Sequence, residues 1–123
     1  MKRDKLRDMT MEQLVERFAS IALDQDHAVR RDQNAKYRRL FWQMEAVEEA
    51  LKVRSGDQRR VLLQLFNHPN AQVRLAAAKA TLAVAPEAAR HMLRTIAESR
   101  EFPHAGDAGM TLVCLERGIF KPT

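Results

Sequence analysis

The stretch RRVLLQLFNHPNAQVRLAAAKATLAVAP, Arg59–Pro86, decides the class of fold. Two runs rich in leucine, valine and alanine flank a short polar turn, Asn67-His68-Pro69-Asn70. In the first run Val61, Leu62, Leu65 and Phe66 fall on one side at helical spacing, which predicts a helix over Gln58–Phe66. In the second, Val73, Ala76, Ala77, Ala80 and Val84 share a face, which predicts a helix over Ala71–Val84. The small side chains of that face allow another helix to approach closely.

The same period extends in both directions. Towards the N-terminus, Thr10 with Gln13 forms a capping-box pattern. Leu14, Val15, Phe18, Ile21, Ala22 and Gln25 then recur at threes and fours, predicting a helix to about Arg31. Asp32-Gln33-Asn34 is a polar break, with Asn34 a cap for a second long helix. That helix buries Tyr37, Leu40, Phe41, Met44, Val47 and Leu51 and ends near Val53. Two long helices with a short connection form an antiparallel hairpin. Ser55-Gly56-Asp57 stops the second helix, and Asp57 caps the next. Towards the C-terminus, Pro86 suits the first position of a fifth helix, which carries Ala89, Leu93, Ile96 and Ala97 inward. Phe102–Gly106 reads as a loop and Asp107 as the cap of a last helix. That helix stops at Gly118, and Ile119 and Phe120 fold back onto the core.

Composition agrees. Four glycines and four prolines in 123 residues leave few breakers, and the good helix formers Ala, Leu, Arg, Glu and Gln are abundant. The expected class is all-α, with about six helices in three antiparallel pairs. Residues 1–9 are expected to be a flexible terminus, and residues 10–123 one domain: a long hairpin over 10–54, a pair over 57–86 and a terminal pair over 87–118. The longest uncharged apolar run is about Ala80–Pro86, far short of the roughly 20 residues of a membrane span. No apolar segment follows the charged start, so neither a secretory signal nor an anchor is expected. Cys114 is the single cysteine, which suits a reducing cytoplasm.

Arg59–Pro86 resembles a HEAT repeat. That family places an apolar helix, a turn with proline, and a second helix opening on Val-Arg followed by small residues. Leu62, Leu63, Leu65 and Phe66 match the first helix, Pro69 the turn, and Val73-Arg74 with Ala76, Ala77 and Ala80 the second. The resemblance implies a HEAT-like α–α superhelix, with Arg74 bonding near the turn. Two positions depart from the pattern: the usual turn acid is Asn67, and the leucine expected eight residues after the valine is Thr81, with Leu82 one place late. The whole chain is also similar to a family of small bacterial proteins known only as a domain of unknown function. Gly56–Arg60, His68–Arg74, Ala77–Arg90, Ala105–Leu112 and Gly118–Thr123 carry that similarity. It implies the fold and a bacterial origin, and brings no activity or cofactor.

The side chains offer no catalytic constellation. Among His27, His68, His91 and His104 no two stand at a ligand spacing, and Asp24 with His27 lacks a third donor. Cys114 sits among apolar neighbours as a buried thiol. Ser20, Ser55 and Ser99 have no nucleophile elbow around them. Ala105–Gly109 reads as a tight turn rather than a phosphate loop. Glu45, Glu48 and Glu49 with Lys52 read as a solvated face.

Two binding readings stand. A stack of helix pairs presents an extended surface to a protein partner, and the second helix of each pair would line it, including Arg74 and Lys79. The alternative is nucleic acid. The net charge is +5, and Arg30, Arg31, Lys36, Arg38 and Arg39 gather around the first hairpin turn, with Trp42 beside Arg38 and Arg39 as a stacking group. Arg54, Arg59 and Arg60 lie at the other end of the second helix, about 30 Å away. The basic residues are therefore not one patch by sequence alone. Neither reading involves a cofactor, a metal or a membrane, and the oligomeric state is not encoded in any pattern here.

Overall fold

The computed structural model describes residues 6–123, and every regular element among them is helical. The α-helices are α1 (Met11–Arg30), α2 (Asn34–Lys52), α3 (Ala71–Ala80), α4 (Pro86–Glu98) and α5 (His104–Glu116), with a 3₁₀ helix over Gln58–Asn67 between α2 and α3. The chain divides into two compact units, Met1–Val61 and Leu62–Thr123, so the boundary falls within the 3₁₀ helix.

In the first unit α1 and α2 pack along each other. The capping box is present at the start of α1: the Gln13 amide donates to Thr10 Oγ1 at 3.1 Å, and the Thr10 amide donates to Gln13 Oε1 at 2.9 Å. All six residues expected to face inward on α1 are buried, with Leu14, Phe18 and Ala22 fully so. On α2 the buried row is Leu40, Met44, Val47 and Leu51. Phe41 is not part of it and stands 41% exposed, because one residue along a helix is a rotation of about 100°. Asn34 does not cap α2; Gln33 occupies that position without a side-chain bond.

Residues 1–5 of the terminus expected to be flexible lie outside the described residues. Over residues 6–9 that expectation is corrected. Residues 6–8 form a helical turn and Leu6 is buried.

In the second unit α3 packs on α4, α4 on α5, and α3 also touches α5. The three helices thus share one cluster. Its core joins Leu75, Ala78 and Leu82 to Ala89, Leu93, Ile96, Ala108 and Leu115, with Phe66 packed against it. Only Arg74 and Lys79 of α3 escape full burial, and even Gln72 is buried. Asn70 caps α3, its Oδ1 accepting from the amides of Gln72 and Val73.

The α3 helix stops at Ala80, short of the expected Val84. The Thr81 hydroxyl donates to the carbonyl of Ala77 at 2.8 Å, and turns follow through Val84. Leu82, one place late for the repeat pattern, enters the core from this turn. The α5 helix starts at His104 rather than Asp107, inside the segment read as a loop. Gly118 ends it with a φ of +70°, a left-handed conformation that glycine adopts without strain. The amides of Ile119 and Phe120 bond back to the Cys114 carbonyl, but their side chains, 71% and 40% exposed, do not join the core.

Candidate functional site

The first unit carries a second apolar row on α2, turned away from its buried one. Trp42, Ala46, Ala50 and Val53 recur at intervals of four, four and three. Trp42 is 66% exposed and Val53 68%, while the alanines between them are half-buried. Together they floor an open groove of about 820 Å³. Glu45 and Glu49 line it too, one helical turn apart, as do Leu6 and Arg7 from the N-terminal turn. The Phe41 ring meets Trp42 edge to face, with centroids 5.2 Å apart, and supports the indole at one end.

Arg54 builds this groove. Its Nη2 donates to the carbonyls of Leu6 at 3.2 Å, Arg7 at 3.4 Å and Met9 at 2.6 Å, and its Nη1 lies 3.4 Å from Met11 Sδ. One guanidinium thus ties the N-terminal turn to the end of α2. Read along the sequence, Arg54 belongs to a basic cluster. In the fold it is a clamp, with Nη1 and Nη2 turned to the N-terminal segment.

Next to the clamp lies a charged cluster. Gly56 and Asp57 both have positive φ, +79° and +49°, and this turn sets the Asp57 carboxylate against Arg59. Asp57 Oδ1 accepts from Arg59 Nε at 2.9 Å and Oδ2 from Nη2 at 2.7 Å, a two-pronged pair. The bond to Arg59 holds the Asp57 carboxyl below its ordinary range. Glu48 sits in the opposite condition. Burial, reinforced by the neighbouring charge of Glu45 and offset in part by Arg59, pushes its carboxyl up to about 7. The reading of Glu45, Glu48 and Glu49 as one solvated face is therefore corrected. Glu45 and Glu49 are exposed, and Glu48 is turned inward.

The other residues singled out from the sequence are dispersed. Arg38 and Arg39 are exposed on the first turns of α2, close in sequence to Trp42. Arg30 pairs with Asp26 at 3.2 Å. Arg74 and Lys79 belong to the other unit, and both make ion pairs within it. Lys79 Nζ lies 2.6 Å from Asp107 Oδ1. Arg74 Nη2 lies 3.7 Å from Glu101 Oε1 and donates to the Pro69 carbonyl at 3.4 Å, staying near the turn as the repeat resemblance implies. Asp24 and His27 are exposed on α1, and His68 Nδ1 accepts from the Asn70 amide. Among the described residues no three His, Cys, Asp or Glu side chains are grouped to hold a metal ion, and no helix is long and apolar enough to cross a membrane.

Arg74→Ala should lower stability by about 1 kcal/mol, from the lost bond to the turn and the lost packing of the arginine stem. The exposed partner Glu101 adds little. Thermal unfolding followed by circular dichroism measures this. An unchanged midpoint would make Arg74 a surface group free for other contacts.

The groove was hard to see in the sequence because alanines carry half of it. Its only signal is the spacing from Trp42 through Ala46 and Ala50 to Val53, out of phase with the stronger row from Leu40 to Leu51.

Comparison with known proteins adds kinship. The chain is similar to the protein RPA1889 from Rhodopseudomonas palustris CGA009, whose crystal structure superposes with a TM-score of 0.92 at 51% sequence identity, covering 96% of this chain and 98% of that one. No curated protein matches the chain. The family model described as a domain of unknown function, DUF2019, matches residues 12–116, nearly the whole of both units, and the chain belongs to that family.

Proposed function

We propose that this chain is a non-catalytic binding module whose partner is a protein, and that the partner docks in the groove along α2. The observation that carries this reading is the exposed apolar row from Trp42 to Val53, sunk in an open groove. Isolated surface apolar groups are ordinary, but a contiguous row with an exposed tryptophan is what partner-binding surfaces present. The Leu62–Thr123 unit reads as HEAT-like, supported by buried Val73, by Arg74 at the turn and by the alanines of α3. A lone half-buried thiol, Cys114, favours the cytoplasm as its compartment.

A nucleic-acid reading keeps one point of support: exposed Arg38 and Arg39 beside the Phe41–Trp42 pair. Against it, Glu45 and Glu49 line the groove that Trp42 opens, and a phosphate backbone would meet carboxylates there. Arg54 turns Nη2 to three backbone carbonyls and Nη1 to Met11, which commits that side of its guanidinium to the N-terminal turn.

The test is a pull-down from native-cell extract, with and without nuclease, using the parent chain and Trp42→Ala. The expected result is a protein that survives nuclease and falls at least about tenfold with Trp42→Ala, as for the loss of an interface anchor. Material lost on nuclease treatment would overturn the protein-partner reading and promote the cluster at Arg38 and Arg39.

A further inference from the structure

The groove also constrains what kind of protein segment fits it. Its apolar row spans eleven residue steps along α2 and its C-cap, from Trp42 to Val53, which is about 16 Å or three helical turns. The α2 backbone is committed to its own helical bonds, so recognition runs through side chains. A strand adding to a sheet edge has no counterpart here, since the described residues contain no strand. Of the recurring modes of peptide recognition, an amphipathic helix laid in a groove is the one these side chains suit.

Charge narrows the guest further. The chain as a whole carries +5, yet the groove receives two carboxylates, Glu45 and Glu49, spaced i, i+4 on α2 and so about 6 Å apart. Both are exposed. Among the described residues the one cation lining the groove is Arg7, supplied by the N-terminal turn rather than by α2. A guest helix must therefore meet two negative charges one turn apart along α2.

Resting on the docking reading above, we infer that the groove's occupant is an amphipathic helix of about three turns whose apolar face covers Trp42, Ala46, Ala50 and Val53 and whose flank sets lysine or arginine, one turn apart, against Glu45 and Glu49. The apolar row supplies affinity, and the carboxylates choose the partner and its direction.

Trp42 is the only tryptophan in the chain, so its emission reports on the groove directly. The probes are three synthetic 14-residue peptides without tryptophan or tyrosine. One has a leucine–alanine face with lysines on the flank. One has the same face with glutamates replacing the lysines. One is a scramble of the lysine peptide that has no apolar face.

The lysine peptide should shift the emission to shorter wavelength and saturate. It should bind about tenfold tighter than the glutamate peptide, since two rim pairs are gained in one case and opposed in the other. The double variant Glu45→Lys, Glu49→Lys should reverse that preference, with its helical circular dichroism retained because both sites are exposed.

Equal binding of the lysine and glutamate peptides, or a preference unmoved by the double variant, would overturn the charged flank and leave the docking reading standing. Equal binding of the scramble would overturn the amphipathic helix. So would silence of Trp42 with all three peptides while a partner is still captured in a Trp42-dependent way, again sparing the docking reading. Failure of that capture is the outcome that removes the docking reading itself.

Discussion

Replacing Arg59 by methionine should destabilise the chain by about 2–3 kcal/mol, since breaking a buried ion pair strands its partner charge. Arg59 is 8% exposed and grips Asp57 through two bonds. It also faces the charges of Glu48 and Glu49. Methionine replaces most of the stem, so the loss comes from charge rather than from a cavity. Asp57 is left at a positive φ with no fork to hold it, and Glu48 loses the one neighbour that lowers its carboxyl. The estimate lies at or below the low end for buried pairs because the Asp57 side chain is 33% exposed and water screens part of the penalty. Lysine at this position should recover little, having no planar fork to match the carboxylate. Urea denaturation followed by circular dichroism measures the loss, and a cycle with Asp57→Asn isolates the pair. Parent-like stability of Arg59→Met would show that Arg59 is carried by the fold rather than supporting it.

The burial of Arg59 also explains what the sequence could and could not convey. A period of 3.6 describes α1 well: every residue placed inward there is buried, because the helix has twenty residues over which the pattern repeats. The segment after Gly56 is a 3₁₀ helix, and its period is three. Its buried residues are Arg59, Leu62 and Leu65, a row at i, i+3 and i+6. A reading at 3.6 residues per turn accepts Leu62 and Leu65, adds Val61 and Phe66, and leaves the arginine outside. Over ten residues the two periods diverge too little to be told apart by apolar residues alone.

The candidate site was legible in one residue and hidden in the rest. Trp42 stands out as an aromatic off the core row. Its continuation through Ala46 and Ala50 is silent, because alanine is as common on exposed helix faces as on buried ones. The far wall of the groove comes from Leu6 and Arg7, in a segment that reads as a charged, frayed end. Bonds from Arg54, more than forty positions away, tie that segment down beside the buried Leu6. Local pattern carries no information about a clamp of that span. The same limit applies to Glu48. Its neighbours Glu45 and Glu49 are exposed, and the inward turn of the middle carboxyl becomes visible only when Arg59 is placed beside it.

Glu48→Gln should stabilise the chain above neutral pH and remove a slope from its pH profile. The carboxyl is raised to about 7 in the folded chain, by burial first and then by Glu45, from an unfolded value of 4.5. Between those two values the folded state holds a proton that the unfolded state has released. Stability from this group is therefore greatest below about pH 4.5, falls as pH rises towards 7, and levels off beyond. The full shift corresponds to an upper bound of about 3 kcal/mol, and partial exposure of Glu48 brings the expected effect to about 2 kcal/mol. Glutamine keeps the shape, carries no charge to desolvate and leaves Arg59 its bonds to Asp57. Urea denaturation of both chains at pH 5.5 and pH 8 gives the comparison. The variant should gain most of that amount at pH 8 and less than half of it at pH 5.5. Asp57 works in the opposite sense and at lower pH: its carboxyl is held down by Arg59, so its contribution is lost only as pH falls through that lowered value, outside the window compared. Equal effects of the substitution at both pH values would mean that Glu48 is ionised in the folded chain throughout, with water reaching it as freely as it reaches Glu45.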